Sequence, residues 1–347
     1  FGSNYENLTY GARQFWNEQF DWTLNYKNSF GKHEVGGMIT FEQAESQGEA
    51  IYATANDPLT DYDQWFVFST DPERRTVSVN ESENLGSHLS WIGRATYNYD
   101  SKYMAEFSFR YDGNNKFPKD RRWGFFPSAS LGWRISREAF MENTSEWLDD
   151  LKIRASYGVN GNQPGAFYGY MGLYSYGQNY MGAAGSYESA QANPKLKWEK
   201  NYNLNIGLSL TFIDRIFVNL EYYNRDTKDL LYNRPISSTT GFLNYLANIG
   251  QLNNKGVEFE LRTINFAGPD FNWTSVLNLT HNRNKIVALD GDIKQSVEGS
   301  WFIHKIGLPY NSFYVKEFAG VDPSTGKGLY YLNTQDEKGN YNRAVSY

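Results

Sequence analysis

The residues able to do chemistry in this chain are ionisable side chains that alternate with apolar ones. Glu106, Arg110 and Asp112 are interleaved with Phe107, Phe109 and Tyr111, and Arg94, Arg134 and Arg154 sit in similar company. In an extended chain, positions two apart share a face, so these six charges fall on the polar side of consecutive strands. There they can make charge-assisted hydrogen bonds to a second layer of protein, or simply be wetted. A second group is aromatic: Tyr168, Tyr170, Tyr174, Tyr176, Tyr180 and Tyr187 crowd one Gly-, Asn- and Ala-rich stretch, with Trp65 and Phe66 earlier and Trp301 later. Tyrosine has a flat apolar face and a polar tip, suited to stacking on sugars, gripping peptides or meeting a partner protein. The same rings also serve loop packing or an interfacial girdle.

Catalysis finds no such support. The chain has 39 acidic residues, so carboxylate pairs arise everywhere and none is singled out for glycoside hydrolysis. His33, His88, His281 and His304 show no metal-ligand spacing, and there is no cysteine. Gly320 to Lys327 is one residue too long for a phosphate loop, and Gly328 stands where Ser or Thr is required. Asp290 and Asp292 lack the rest of a calcium loop. We expect no catalytic residues, no metal, no cofactor and no enzyme.

The elements that position these residues follow from a period of two. Tyr202, Leu204, Ile206, Leu208, Leu210 and Phe212 oppose Asn201, Asn203, Asn205, Gly207, Ser209 and Thr211; after Asp214-Arg215 the pattern resumes with Ile216, Val218, Leu220 and Tyr222. Equivalent hairpins are expected at Phe15 to Phe41 about Gly31-Lys32, at Leu89 to Asp112 about Asp100-Ser101-Lys102, and at Lys255 to Asn282 about Ala267 to Asp270. Further strands are expected at Ala129 to Ile135 and Leu151 to Val159, with a short helix or irregular turn over Glu138 to Asp150 and two weaker strands in Phe313 to Leu332. Long loops are expected at about 42–87 and 161–195. Short turns alternating with long loops, and an apolar face rich in aromatics opposite a polar one, describe the wall of a transmembrane β-barrel.

Composition agrees. The 347 residues are 17% aromatic and carry a net charge of −6 without a basic stripe, which argues against nucleic acid. A mean hydropathy of −0.65 is compatible with lipid, because barrel strands expose only every second residue to it. The chain starts at Phe1 without a signal peptide, which suggests a piece of something longer.

Several blocks resemble the SusC/RagA family of TonB-dependent outer-membrane transporters. They are Phe109 to Phe117 (FRYDGNNKF), Trp123 to Ser136 (WGFFPSASLGWRIS), Leu151 to Gln163, Asn193 to Lys200 (NPKLKWEK), Tyr223 to Leu231, Asn248 to Glu260 and Gly320 to Lys327, in the family's order. The resemblance implies an all-β, antiparallel barrel of about 22 strands filled by a plug, of which residues 1–347 are a partial β-barrel domain lacking the plug and strands at both ends. It implies a Gram-negative outer-membrane location, a SusD-like surface lipoprotein as partner, the TonB complex acting through the missing plug segment, and an oligosaccharide or peptide ligand. On this reading the six charges face the lumen or the plug. A soluble aromatic-rich glycan-binding β-protein is the alternative, and a passive porin the next; strands of membrane-spanning length disfavour the first.

Overall fold

The computed structural model describes residues 7–56, 75–80, 86–289, 291, 294–298, 301–332, 334–335, 341–342 and 345–346. The alternating segments form strands β1 (Asn7–Phe30), β2 (His33–Asn56), β3 (Arg75–Asn80), β4 (Gly86–Tyr99), β5 (Tyr103–Asn114), β6 (Trp123–Arg134) and β7 (Leu148–Asn162). The short hairpin β8 (Leu173–Tyr180) and β9 (Ala183–Ala190) precedes β10 (Glu199–Phe212) and β11 (Ile216–Lys228). A second short hairpin, β12 (Leu231–Pro235) and β13 (Asn244–Asn248), precedes β14 (Gln251–Ala267) and β15 (Asn272–Ala288). Smaller strands follow: β16 (Gln295–Glu298), β17 (Phe302–Lys305), β18 (Ser312–Phe313), β19 (Phe318–Val321) and β20 (Gly328–Tyr331). One eleven-stranded sheet carries the path β1-β2-β4-β5-β6-β7-β10-β11-β14-β15, with β3 beside β2. The fold is that of an antiparallel β-barrel wall, not closed on itself here.

The register explains how alternation becomes two faces. Residues directly opposite one another point the same way. Phe41 faces Trp91, Trp91 faces Tyr111, and Tyr111 faces Phe125. Further down, Leu131, Ala155, Ile206, Tyr222 and Val257 form one row across five strands. The opposite face carries the row Gly132, Arg154, Gly207, Glu221, Glu258 and Thr280. A slip of one residue would exchange these sets, so the two environments fix the register.

The short connections gather at one end of the strands, together with the longer segment 135–147. Gly31–Lys32, Asp100–Lys102, Ile213–Arg215 and Gly268–Phe271 lie at one end of the strands, the turn end. Residues 115–122, 163–198 and 229–250 lie at the other, the loop end. Asp100 and Ser101 both have φ of 54°, the positive-φ pair that a tight hairpin needs to match strand twist. Ile213 also has positive φ (46°) despite its branched side chain. Its amide donates to the Trp147 carbonyl at 3.2 Å, and the Asp214 amide to Asp149 at 2.7 Å. The segment expected as a short helix or turn over Glu138 to Asp150 contains one 3-10 turn, Ala139–Thr144, preceded by another at Ile135–Arg137, and then enters β7 at Leu148.

Several expected boundaries move, two of them at the loop end. The excursion expected from 42 begins as strand, because β2 stays paired with β1 as far as Asn56. Each of these two strands has 24 residues, well beyond the roughly 9–11 needed to cross a bilayer, and they project past β4 at the loop end. The strand expected to follow the long loop ending at about 195 begins at Glu199. Pro194 cannot donate to a ladder, and a turn closes there as the Leu196 amide bonds to the Asn193 carbonyl.

Candidate functional site

All six singled-out charges lie on the polar face, and five are held by ion pairs with hydrogen-bond alignment. Arg94 donates to Glu106 on the neighbouring strand at 2.5 Å. Arg110 donates through Nε to both oxygens of Asp112 (2.6 and 2.9 Å) and through Nη2 to Glu42 (2.7 Å) and Ser90 Oγ (3.0 Å). Glu42 also meets His88 at 3.2 Å. Arg154 reaches Glu221 at 2.7 Å and Ser209 at 2.8 Å. Arg134 lies 3.1 Å from Asp150, close enough for an ion pair, but its Nε is not aligned for a hydrogen bond. The guanidinium of Arg154 lies flat against the wall because its cross-strand neighbour is Gly207, where a Cβ would come within 2.5 Å of Nε. The sequence reading did not pair Glu42, Ser90 and Glu221 with these arginines, although each has the polar parity of its strand; Ser90 lies on the neighbouring strand, and Glu42 and Glu221 lie two strands away.

The loop end holds a packed knot that periodicity does not reveal. Phe117, Phe126, Leu196 and Trp198 form one buried cluster, with Val159, Tyr170, Leu231 and Leu246 packed against it. Trp198 meets Phe117 at 4.7 Å and Phe126 edge-on at 5.3 Å, and its Nε1 donates to the Arg122 carbonyl at 2.9 Å. Phe126 reaches inward over Gly161, where a Cβ would collide with its ring at 2.1 Å. Asn193 and Asn248 tie the loops together. Asn193 donates to the Leu246 carbonyl, while Asn248 accepts from the Lys197 amide and donates to the Lys197 and Asp229 carbonyls. Buried Glu199 accepts from the Leu231 amide at 2.9 Å and from Asn162 at 3.2 Å. The knot therefore joins segments from the blocks around Phe117, Phe126, Leu196–Glu199 and Asn248.

Beside the knot, on the polar face, lie two adjoining pockets of about 290 and 300 Å³ that share His88, Asn114 and Gln163. Asn114 Nδ2 donates to Gln163 Oε1 at 2.6 Å. Lys116 stands 4.6 Å from the centre of the Phe167 ring, and burial draws its amine below the ordinary lysine range. The Phe167 ring rests on Gly86, where a Cβ would come within 2.7 Å of it.

The tyrosines do not form one platform. Tyr170 packs on the knot, while Tyr168 is exposed. On the β8–β9 hairpin Tyr174 and Tyr176 share one face, opposite Glu188 and Ser186. Tyr187 and, across the irregularity at Gly177, Tyr180 fall on the other. Tyr176 and Tyr180 are about four-fifths exposed, at 82% and 77%. Trp301 is exposed, and its carbonyl accepts from the Tyr314 amide at 2.7 Å. Trp65 and Phe66 lie outside the described residues.

The motifs set aside in the sequence have structural roles where they are described. Asp322 accepts from the Ser324 amide and hydroxyl and from Thr325 Oγ1, closing its own loop. His304 is fully buried, stacked on Tyr310 at 4.3 Å and bonded to Tyr232 at 3.1 Å. At the turn end Glu138 accepts from Tyr103 and Trp133, and these hydrogen bonds hold its carboxyl below the ordinary range.

The comparisons with known proteins agree with this architecture. The family described as TonB dependent receptor-like, beta-barrel matches residues 1–347. TonB-dependent receptor P3 of Formosa agariphila is 33% identical over 312 residues, covering 86% of this chain and 31% of that protein. TonB-dependent receptor SusC of Bacteroides thetaiotaomicron is 31% identical over 337 residues, covering 91% and 33%. Among solved structures, the RagAB peptide transporter superposes with a TM-score of 0.82 at 27% identity, over 97% of this chain and 37% of that one. The chain thus spans about a third of the length of the curated relatives it matches. By its whole-length match and these relatives, the chain belongs to the TonB-dependent receptor β-barrel family, with the SusC/RagA-like members.

Proposed function

We propose that this chain is part of the wall of a Gram-negative outer-membrane importer for bulky nutrients. A TonB-energised plug would work inside it, and a SusD-like surface lipoprotein would work at its loop end. The observation that carries the reading is the division of the sheet into two faces. An aromatic and aliphatic face runs unbroken from Phe41 through Tyr111 to Phe125, and from Leu131 through Ile206 to Val257. The opposite face carries the paired charges Arg94–Glu106, Arg110–Asp112 and Arg154–Glu221. Lipid outside and a hydrated, plug-filled lumen inside satisfy both at once. Transport needs no catalytic residue in such a wall. The RagAB likeness supports a peptide as ligand; the family resemblance supports an oligosaccharide equally.

The test is made on the full-length protein, extracted from outer membranes in mild detergent and identified by mass spectrometry with whatever accompanies it. A stoichiometric lipoprotein and a bound oligosaccharide or peptide are expected. A barrel with neither, whose uptake persists when the TonB complex is deleted, would leave a passive porin and overturn the proposal.

A further inference from the structure

The two faces of the wall treat their cations differently. On the polar face arginines are met by carboxylates of the sheet itself, as in Arg94–Glu106, Arg110–Asp112 and Arg154–Glu221. On the apolar face, where β10, β11, β14 and β15 approach the loop end, they are not. The register sets Lys200 directly opposite Lys228, and Lys255 directly opposite Arg283, with Lys285 two residues further along β15. Like charges placed opposite one another are destabilising. Among the described residues these cations make no ion pair. The one carboxylate among the described residues of these rows is Asp226, whose Oδ1 accepts from Asn253 Nδ2 at 2.7 Å. Lys255 stands two residues from Val257, and Lys228 lies 5.1 Å from the centre of the Tyr202 ring, so both belong to the face of Ile206, Tyr222 and Val257. Lys228, Lys255, Arg283 and Lys285 are all exposed.

Height along the wall identifies what neutralises them. From Phe212 at the turn end to Leu204, this parity of β10 is wholly apolar. That run is about 27 Å of strand at roughly 3.4 Å per residue. Tilted by about 40°, it spans about 21 Å of an apolar band roughly 25 Å tall. The cations begin in the row of Leu204 and continue towards the loop end. They therefore border the apolar band at the level of lipid headgroups, above Val257, Phe259 and Leu279. A soluble anion gains nothing from that apolar surface. A phosphorylated lipid can lay its chains on it while its phosphate meets the cations. Arg283 offers a planar fork for two phosphate oxygens, and Lys255 and Lys285 flank it as point charges.

We infer that this patch binds the phosphate of an anionic lipid in the leaflet at the loop end, holding it against the outside of β14 and β15. The inference rests on the barrel-wall reading and adds a lipid partner to it.

The test uses the full-length protein in detergent with two probes, monophosphoryl lipid A and the same lipid without its phosphate, and reads retained lipid by native mass spectrometry. The phosphorylated lipid should bind about tenfold more tightly than the other, as several cations acting on one anionic headgroup require. Lys255→Gln/Arg283→Gln/Lys285→Gln should abolish that preference and leave affinity for the phosphate-free lipid unchanged. Asp226→Asn, which removes the carboxylate of the patch, serves if the triple variant does not fold, and should sharpen the preference. Equal binding of the two lipids overturns the site. So does a preference unmoved by the variant, or inorganic phosphate bound as tightly as the lipid. Uptake by intact cells is read separately. If the lipid preference follows these residues while cells import neither oligosaccharide nor peptide, the importer reading falls and the site stands. If import proceeds while both lipids bind alike, the site falls and the importer reading stands.

Discussion

The wall and the rim knot are built from the same strands and held by opposite means. Between β4 and β15 the wall has little interior of its own. Its side chains stand on one face or the other, and large apolar side chains such as Phe107, Phe125 and Leu131 are half to two-thirds exposed, at 49%, 51% and 66%. What joins its strands is the ladder, supplemented by cross-strand pairs such as Arg154–Glu221. At the knot, by contrast, Phe117 and Leu196 are fully buried and the polar atoms of Asn193, Asn248 and Glu199 are matched to backbone groups. On the proposed reading, lipid covers the apolar face of the wall. The knot instead brings its own core.

That contrast can be broken from either side. The largest effect is expected from Trp198→Ala, which empties the centre of the knot and removes one of the two hydrogen bonds to the Arg122 carbonyl. Truncating a buried aromatic costs about 3–5 kcal/mol, so a lower melting temperature and protease nicking between 163 and 198 are expected. The barrel's resistance to unfolding in detergent should persist. Next comes Ile206→Arg, midway along β10 on the apolar face. A charge facing lipid near the midplane costs about 2–4 kcal/mol, and folding into vesicles should suffer while folding in urea-free detergent with a thick hydration belt suffers less. Asn248→Ala leaves the Lys197 amide and two carbonyls unmatched, at about 1–3 kcal/mol for a buried unsatisfied group. Hydrogen exchange should quicken at Lys197 and in β13, with the wall strands unaffected.

The smallest effect is a dependence on pH at the turn end. Tyr103 and Trp133 hold Glu138 in its ionised form, so its folded pKa lies below its unfolded one. Its contribution is therefore present above the ordinary carboxylate pKa and is lost as pH falls through the lowered value. Glu138→Gln should remove this part of the acid sensitivity, read as the pH dependence of the melting temperature, by lowering stability slightly at neutral pH while leaving it almost unchanged in acid.

The same contrast decides what was legible in the sequence. Strand pairing in the wall could be read from alternation alone, because two unlike solvents sort odd from even positions. The hairpin turns at Gly31, Asp100, Asp214 and Gly268 stood where the pattern broke. The knot has no period. Leu196 and Trp198 continue the parity of β10, and so read as the start of a strand, when Pro194 and the Asn193 turn instead fold them onto Phe117 and Phe126. Their role was carried by the wording of the blocks NPKLKWEK and DGNNKF, whose physical meaning emerges only when the loops are brought together. The tyrosines of 168–187 were legible as a cluster in sequence, but not as residues divided between the knot and two faces of a hairpin. Sequence parity is silent on ion-pair partners, so Glu42 and Glu221 stayed unassigned until the fold brought them to Arg110 and Arg154.

The most direct test of the two-faced wall follows β10 one residue at a time. The 347 residues contain no cysteine, so single cysteines can be placed at positions 203 to 210 in lipid vesicles, with any cysteine elsewhere in the full-length protein first replaced by serine. Each is then probed with a water-soluble thiol reagent and with lipid-borne quenchers of an attached fluorophore. The account predicts strict alternation, with 204, 206, 208 and 210 quenched from lipid and 203, 205, 207 and 209 labelled from water. Uniform labelling at all eight positions, or quenching on the Asn203 and Asn205 side, would contradict it.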